Sequence, residues 1–150
     1  MQPKRKLTLA DYQTLAEFRY ALRVFLRFSE DAARSAGLAS QQHQALLAIK
    51  GFAAMEPITI GHLAERLQIR PHSAVELVDR LEARSLVRRS PSPRDHRQVH
   101  LKLTIEGEEI LERLSASHRE QLARMEPQWK RMLEILHQEP ALGAGGAGQE

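Results

Sequence analysis

Residues 59–104 read TIGHLAERLQIRPHSAVELVDRLEARSLVRRSPSPRDHRQVHLKLT, and two periodicities meet in them. In the first half, apolar residues recur at helical spacing. Leu63, Ala64 and Leu67 fall on one side of a short helix that starts at Thr59. Gln68 and Ile69 make a tight connection, and Pro71 stands where a first helical turn tolerates proline. The next helix, PHSAVELVDRLEAR, turns Ala74, Leu77, Val78 and Leu81 inward at i, i+3, i+4 and i+7. The period then changes to two. Leu86 and Val87 begin a strand, and RSPSPRDHR makes a turn. Val99, Leu101 and Leu103 then alternate with His100 and Lys102, as in a half-buried strand.

Helix, turn, helix, strand, turn, strand is the order of a winged helix-turn-helix. The second helix of such a unit enters a major groove, where each base pair shows its own donor and acceptor pattern. With the apolar stripe inward, the residues left to face DNA are Pro71, His72, Ser73, Val75, Glu76 and Arg80. Ser73 and the first-turn amides can also hold phosphate. The wing candidates are Ser92, Arg94, Asp95, His96 and Arg97. From Arg84 to Lys102 six cations stand against the single acid Asp95, an excess larger than the +3 of the whole chain. Pro91 and Pro93 stiffen the tip and reduce the entropy lost on docking. Asp95 is expected to pair with a neighbouring arginine and orient it. Taken alone, either feature reads as an ordinary solvated face. Joined, they point to double-stranded DNA.

The flanks are helical. Thr8 is placed to cap a first helix running to about Ala36, with Asp11 as its capping-box acid and Gly37 as its stop. Ser40 is expected to cap a second helix, SQQHQALLAIKGF. Thr104 caps a fifth, with Ile110, Leu111, Leu114 and Leu122 on its apolar face, and Pro127 is expected to break or restart it before a last stripe ends near Pro140. Helices this long lean on something larger than their own small domain. Leu15, Phe18 and Leu22 at one end, with Leu122, Trp129, Leu133 and Leu136 at the other, would leave an apolar patch open in a monomer and are read as dimerisation residues. The fold class is therefore mainly α with a small β-hairpin wing, a winged helix-turn-helix flanked by N- and C-terminal dimerisation helices. Residues 1–150 form one domain: dimerisation helices at 8–36 and 104–138, a DNA-binding lobe at 40–103, and a disordered tail at 140–150.

Composition closes other routes. The chain has no cysteine, so disulfides, thiolate metal sites and cysteine catalysis are excluded. Its start, MQPKRKLTLADYQ, has no apolar signal core, and no stretch approaches the roughly 20 apolar residues of a membrane span, so a cytoplasmic location is expected. No P-loop, G-x-S-x-G or H-E-x-x-H is present, so the chain is read as a non-enzyme without cofactors. Gly143-x-Gly145-x-x-Gly148 follows no strand and opens no helix, and is read as chance. His96 and His100, if both lie on a strand, stand roughly 13 Å apart, too far to share one zinc. His43 and His118 could meet across the fold, but all the histidines are read as satisfied or solvated, with no metal site.

HLAERL, PHSAVELVDRLEARSLVRR and SPRDHRQVHLKLTIEGEEIL together resemble the MarR family of bacterial transcriptional regulators. The most telling part is Asp95-x-Arg97 leading into Leu101-x-Leu103-Thr104 and Gly107, which looks like that family's wing signature. The resemblance implies a triangular homodimer on a palindromic operator. It also implies a repressor that releases DNA when a small aromatic or anionic molecule binds between the dimer and DNA-binding lobes. On that geography Tyr12, Arg19, Tyr20 and Arg23 are candidate effector contacts. Two positions depart from the family pattern. Glu76 stands where the family often has arginine, and a carboxylate there can accept from cytosine N4 rather than hold phosphate or guanine. Ser85 replaces the usual glycine after the recognition helix. The rival reading from another class is a winged-helix module that binds a protein, its basic wing no more than solvated surface.

Overall fold

The computed structural model describes residues 6–138, so the expected tail at 140–150 and its glycines lie outside the described residues. The order is α1 (Leu9–Ser35), α2 (Ser40–Gly51), α3 (Ile60–Leu67), α4 (Pro71–Ala83), β1 (Val87–Pro91), β2 (Val99–Leu103) and α5 (Ile105–His137). Local chemistry sets most of these bounds. Thr8 and Asp11 form a reciprocal capping box on α1, and Gly37 follows it with φ +77°. Thr59 accepts from the His62 amide at the start of α3, and Thr104 from the Gly107 amide at the start of α5. The cap of α2 is Ala39 rather than Ser40: the Gln42 side chain reaches back to the Ala39 amide at 3.0 Å, and Ser40 is already helical.

Pro127 does not end α5, which continues for 33 residues to His137. The carbonyl that loses its donor, four residues back, belongs to exposed Ala123, where water can replace the bond. On either side Met125 and Met132 are buried against Ala21 of α1, and Phe25 and Trp129 pack beside them. This packing holds the two helical stripes in line.

The main core joins α2, α3, α4, the hairpin and the first half of α5, with Leu46, Leu63, Val78, Leu81, Val87 and Leu101 almost fully buried. The hairpin is antiparallel, from Val87↔Leu103 to Pro91↔Val99. A third extended segment lies on its far edge: the Leu101 amide donates to the Ile58 carbonyl at 2.9 Å, and Thr59 bridges to His100. His100 is therefore buried rather than turned to solvent, its Nε2 3.9 Å from the Glu56 carboxylate. Ser85 takes the left-handed conformation, φ +57°, that the missing glycine would have taken. Its carbonyl accepts the Thr104 hydroxyl at 2.6 Å, which ties the end of α4 to the start of α5.

His43 of α2 and His118 of α5 do meet, with ring centroids 4.7 Å apart. Their surroundings are the Ser29 hydroxyl, the Leu114 carbonyl and the rings of Phe25 and Phe28, not a carboxylate. No group of three metal-ligating side chains suited to an ion occurs among the described residues.

Candidate nucleic-acid interface

The inward face of α4 is as its spacing requires: Ala74, Leu77, Val78 and Leu81 are buried. His72, Val75, Glu76 and Arg80 are exposed, Ser73 is half-buried, and Pro71 occupies the first turn. No side chain caps this helix. Its first amides are thus left to solvent or to an anion. Glu76 lies 3.7 Å from Arg80 one turn on, both well exposed, a pairing too weak to commit either group.

Short hydrogen bonds build the wing tip. The Ser92 amide donates to the Gln98 carbonyl at 3.0 Å and the Gln98 amide to the Asp95 carbonyl at 2.9 Å. Ser92 is 3% exposed, and its hydroxyl accepts from the amides of Arg94 and Asp95 at 3.3 and 3.4 Å. Its side chain is part of the frame of the tip, not of its outer surface. Asp95 differs from expectation too: its carboxylate accepts the Arg97 backbone amide at 3.0 Å instead of orienting a guanidinium. Between these braces Arg94, His96 and Arg97 stand exposed.

The six cations of this region do not all face outward. Arg84 donates to the Gly37 carbonyl at 2.8 Å and to Gln42 at 3.2 Å, fastening α4 to the loop before α2. Arg89 on β1 bonds both Asp79 and Glu82 of α4. Charge counting found the excess but not these internal uses. A run of arginines carries no mark of which ones fold back.

On the other lobe Phe18 meets Trp129 edge-to-face at 5.8 Å, and Leu22 and Trp129 are half-buried between α1 and α5 of the same chain. Leu15, Leu122, Leu133 and Leu136 remain exposed on those two helices. Tyr12, Arg19, Tyr20 and Arg23 are exposed on α1. None of the four lines the hollow of about 330 Å³ between the ends of α1 and α5, which Thr14, Glu17, Gln128, Arg131 and Met132 help to form. Among the described residues no helix is long and apolar enough to cross a membrane.

Residues 36–98 match the family model described as MarR family, and they span the helix-turn-helix and the wing tip. Over this winged-helix lobe the chain is similar to the MarR family. A curated relative, the HTH-type transcriptional repressor MdtR of Bacillus subtilis, is 31% identical over 67 residues, 45% of this chain and 43% of MdtR. The chain spans less than half the length of the curated relatives it matches. The fold is similar to that of RV1404 from Mycobacterium tuberculosis, with a TM-score of 0.66 at 22% identity over 93% of this chain and 88% of that one. It is equally similar to MepR of S. aureus in a complex with DNA, with a TM-score of 0.66 at 18% identity over 87% of this chain and 95% of that one. The MarR-type architecture therefore extends beyond the matched lobe to the long terminal helices.

Proposed function

We propose that this chain is a sequence-specific, ligand-responsive DNA-binding transcriptional regulator, a repressor that acts as a cytoplasmic homodimer on a palindromic operator. The observation that carries the reading is that one winged-helix unit holds both an α4 N-terminus that no side chain caps and, on the hairpin that follows α4, a braced tip presenting Arg94 and Arg97. His72, Ser73, Val75, Glu76 and Arg80 are the proposed base and phosphate contacts of the helix, with Pro71 setting its first turn. Arg94, His96 and Arg97 are those of the wing, where a narrow minor groove attracts guanidinium. Asp95 and Ser92 serve there by shaping the tip.

The exposed residues Leu15, Leu122, Leu133 and Leu136 support pairing through α1 and α5. A two-fold arrangement would set the recognition helices about one duplex turn apart, on the order of 34 Å. The name of MdtR supports the repressor part. The effector part rests on the resemblance. Arg19 and Arg23, one turn apart on the open face of α1 with Tyr12 and Tyr20 nearby, offer cationic and aromatic contacts to a small anionic molecule. Such a molecule can shift the DNA-binding equilibrium only by its differential affinity for the two states.

A salt titration of operator binding tests the reading. If two wings and two helix ends neutralise about four phosphates, log K falls against log salt with a slope of about −4. Arg97→Ala, which removes one cation from each wing, is expected to lower that slope by about 2 and leave the dimer intact by sedimentation. One observation favours the protein-binding rival: Glu76, Asp79 and Glu82 put three acids on the exposed side of α4. A flat salt response would decide for it.

A further inference from the structure

Arg89 spends its charge inside the protomer. Its side chain is only 25% exposed, against 58% for Asp79 and 43% for Glu82. Its two terminal nitrogens take one carboxylate each: Nη2 bonds Asp79 Oδ1 at 2.5 Å and Nη1 bonds Glu82 Oε2. Asp79 and Glu82 stand three residues apart on α4 and so on one face, where their charges repel. A planar fork holds donors on two separate nitrogens at a fixed spacing that suits such a pair, whereas the three donors of a lysine ammonium share one nitrogen on a flexible stem and fix no such geometry. Burial opposes the charge of Arg89, but the hydrogen bonds and attraction of Asp79 and Glu82 outweigh it, and its pKa is raised.

We propose that Arg89 is a positioning residue for DNA recognition, a clasp that fixes the angle of the wing against α4 and masks two acids on the recognition helix. The proposal rests on the DNA-binding reading above and deepens it. Its physical content is leverage. The α4–β1 connection already tethers the hairpin, so the clasp adds orientation, not attachment. Arg89 pairs with Leu101 in the ladder, and a one-residue slip of β1 would turn its side chain to the opposite face, away from α4. From Arg89 to the tip arginines the chain runs on the order of 15 Å. A tilt of roughly 20° about the clasp would displace the tip by about 5 Å, more than the length of a hydrogen bond. The wing and α4 can meet adjacent grooves of one operator together only while that angle holds. A second consequence concerns charge. Without Arg89, two carboxylates on the exposed side of α4 would face the phosphates unneutralised.

The clasp reverses the sign expected from simple electrostatics, and the test uses that reversal. The full-length Asp79→Asn/Glu82→Gln double variant removes four negative charges per dimer. On charge alone it should bind every duplex more tightly. The clasp predicts that affinity for the best operator falls about tenfold or more while affinity for a scrambled duplex is unchanged or rises, so the ratio of the two collapses. Tightening on both duplexes in parallel would overturn the proposal. Arg89→Lys separates positioning from direct contact. It keeps the charge and loses the fork, so the clasp expects the same collapse, whereas retained operator affinity would mean that Arg89 acts as a point charge. Hydrogen exchange on the free protein supplies a readout independent of DNA. The cross-hairpin ladder amides of Ser90 and His100 should exchange faster in the double variant while those of α5 keep their protection. Unchanged hairpin exchange would refute the clasp whatever the DNA results. A wild-type protein that prefers no duplex over its scramble would refute the DNA-binding reading instead.

Discussion

Gly107→Ala is expected to cost at least about 3 kcal/mol of folding stability, the upper part of the range for overpacking. For a chain of this size that is a fall in Tm of roughly 6–12 °C. A Cβ placed on Gly107 would meet the Leu86 carbonyl oxygen at 2.2 Å and its carbon at 3.1 Å. The position needs no unusual backbone angle; it needs the absence of a side chain where the first turn of α5 crosses the base of the hairpin. Neither partner can yield cheaply. The Thr104 hydroxyl accepts the Gly107 amide at 3.0 Å and donates to the Ser85 carbonyl at 2.6 Å. The Thr104 amide donates to that same Leu86 carbonyl at 3.1 Å. A methyl group at 107 must therefore push α5 off the hairpin and break this set together. Gly61→Ala is the comparison: its Cβ would meet nothing nearer than the Thr59 hydroxyl oxygen at 3.7 Å. There the helix should gain up to about 1 kcal/mol. Thermal melts followed by circular dichroism measure both, and an unshifted Tm for Gly107→Ala would show that the hairpin base gives way freely.

That contact was legible in the sequence only as a pattern. Thr104-x-x-Gly107 marks a helix start, but the reason for glycine is the Leu86 carbonyl at the base of the hairpin, distant in sequence. The same division runs through the molecule. Elements fixed by near neighbours follow from spacing: the stripe of α4, and the caps at Thr8, Thr59 and Thr104. What depends on a distant partner does not follow. The alternation of β2 suggests that His100 faces water, and it is the Ile58–Thr59 segment laid along the edge that buries it. Pro127 carries a helix-breaking signal that the packing of Met125 and Met132 on α1 overrides. Arginine side chains are the extreme case. Arg84, Arg89 and Arg97 look alike in a charge count, yet the first supports a loop, the second bridges two acids and the third stands free at the tip. The location of the candidate interface could be read from the sequence; which of its charges are available could not.

The second large effect concerns acid. Stability is expected to fall by about 3 kcal/mol between pH 6.5 and 4 through His43 alone. This ring is 3% exposed, and one of its nitrogens, Nδ1, is buried without a hydrogen-bond partner among the described residues. Burial first, and the neighbouring His118 second, lower its pKa from 6.5 to about 4. His118 cannot relieve it. Its Nδ1 faces the Leu114 carbonyl at 2.6 Å, an acceptor, so that nitrogen carries a hydrogen, and Nε2 is occupied by the Ser29 hydroxyl at 2.9 Å. The sign follows from comparing the two states. Above about pH 7.5 His43 is neutral in both folded and unfolded chains and contributes almost no slope. As pH falls, the unfolded chain takes up a proton that the folded one refuses, so stability drops by about 1.4 kcal/mol per unit until the folded ring also charges near pH 4. Because α2 meets α1 and α5 at this pair, the loss falls on the joint between the winged-helix lobe and the terminal helices. His43→Leu removes the titrating group and the unpartnered nitrogen together and keeps an apolar body of similar size, so little is lost at pH 7.5. Urea midpoints of both proteins from pH 7.5 to 4.5 isolate the effect. Their difference should move steadily in favour of the leucine variant below pH 6.5. A difference that stays constant across the series would show that His43 is not the group that makes this joint acid-sensitive.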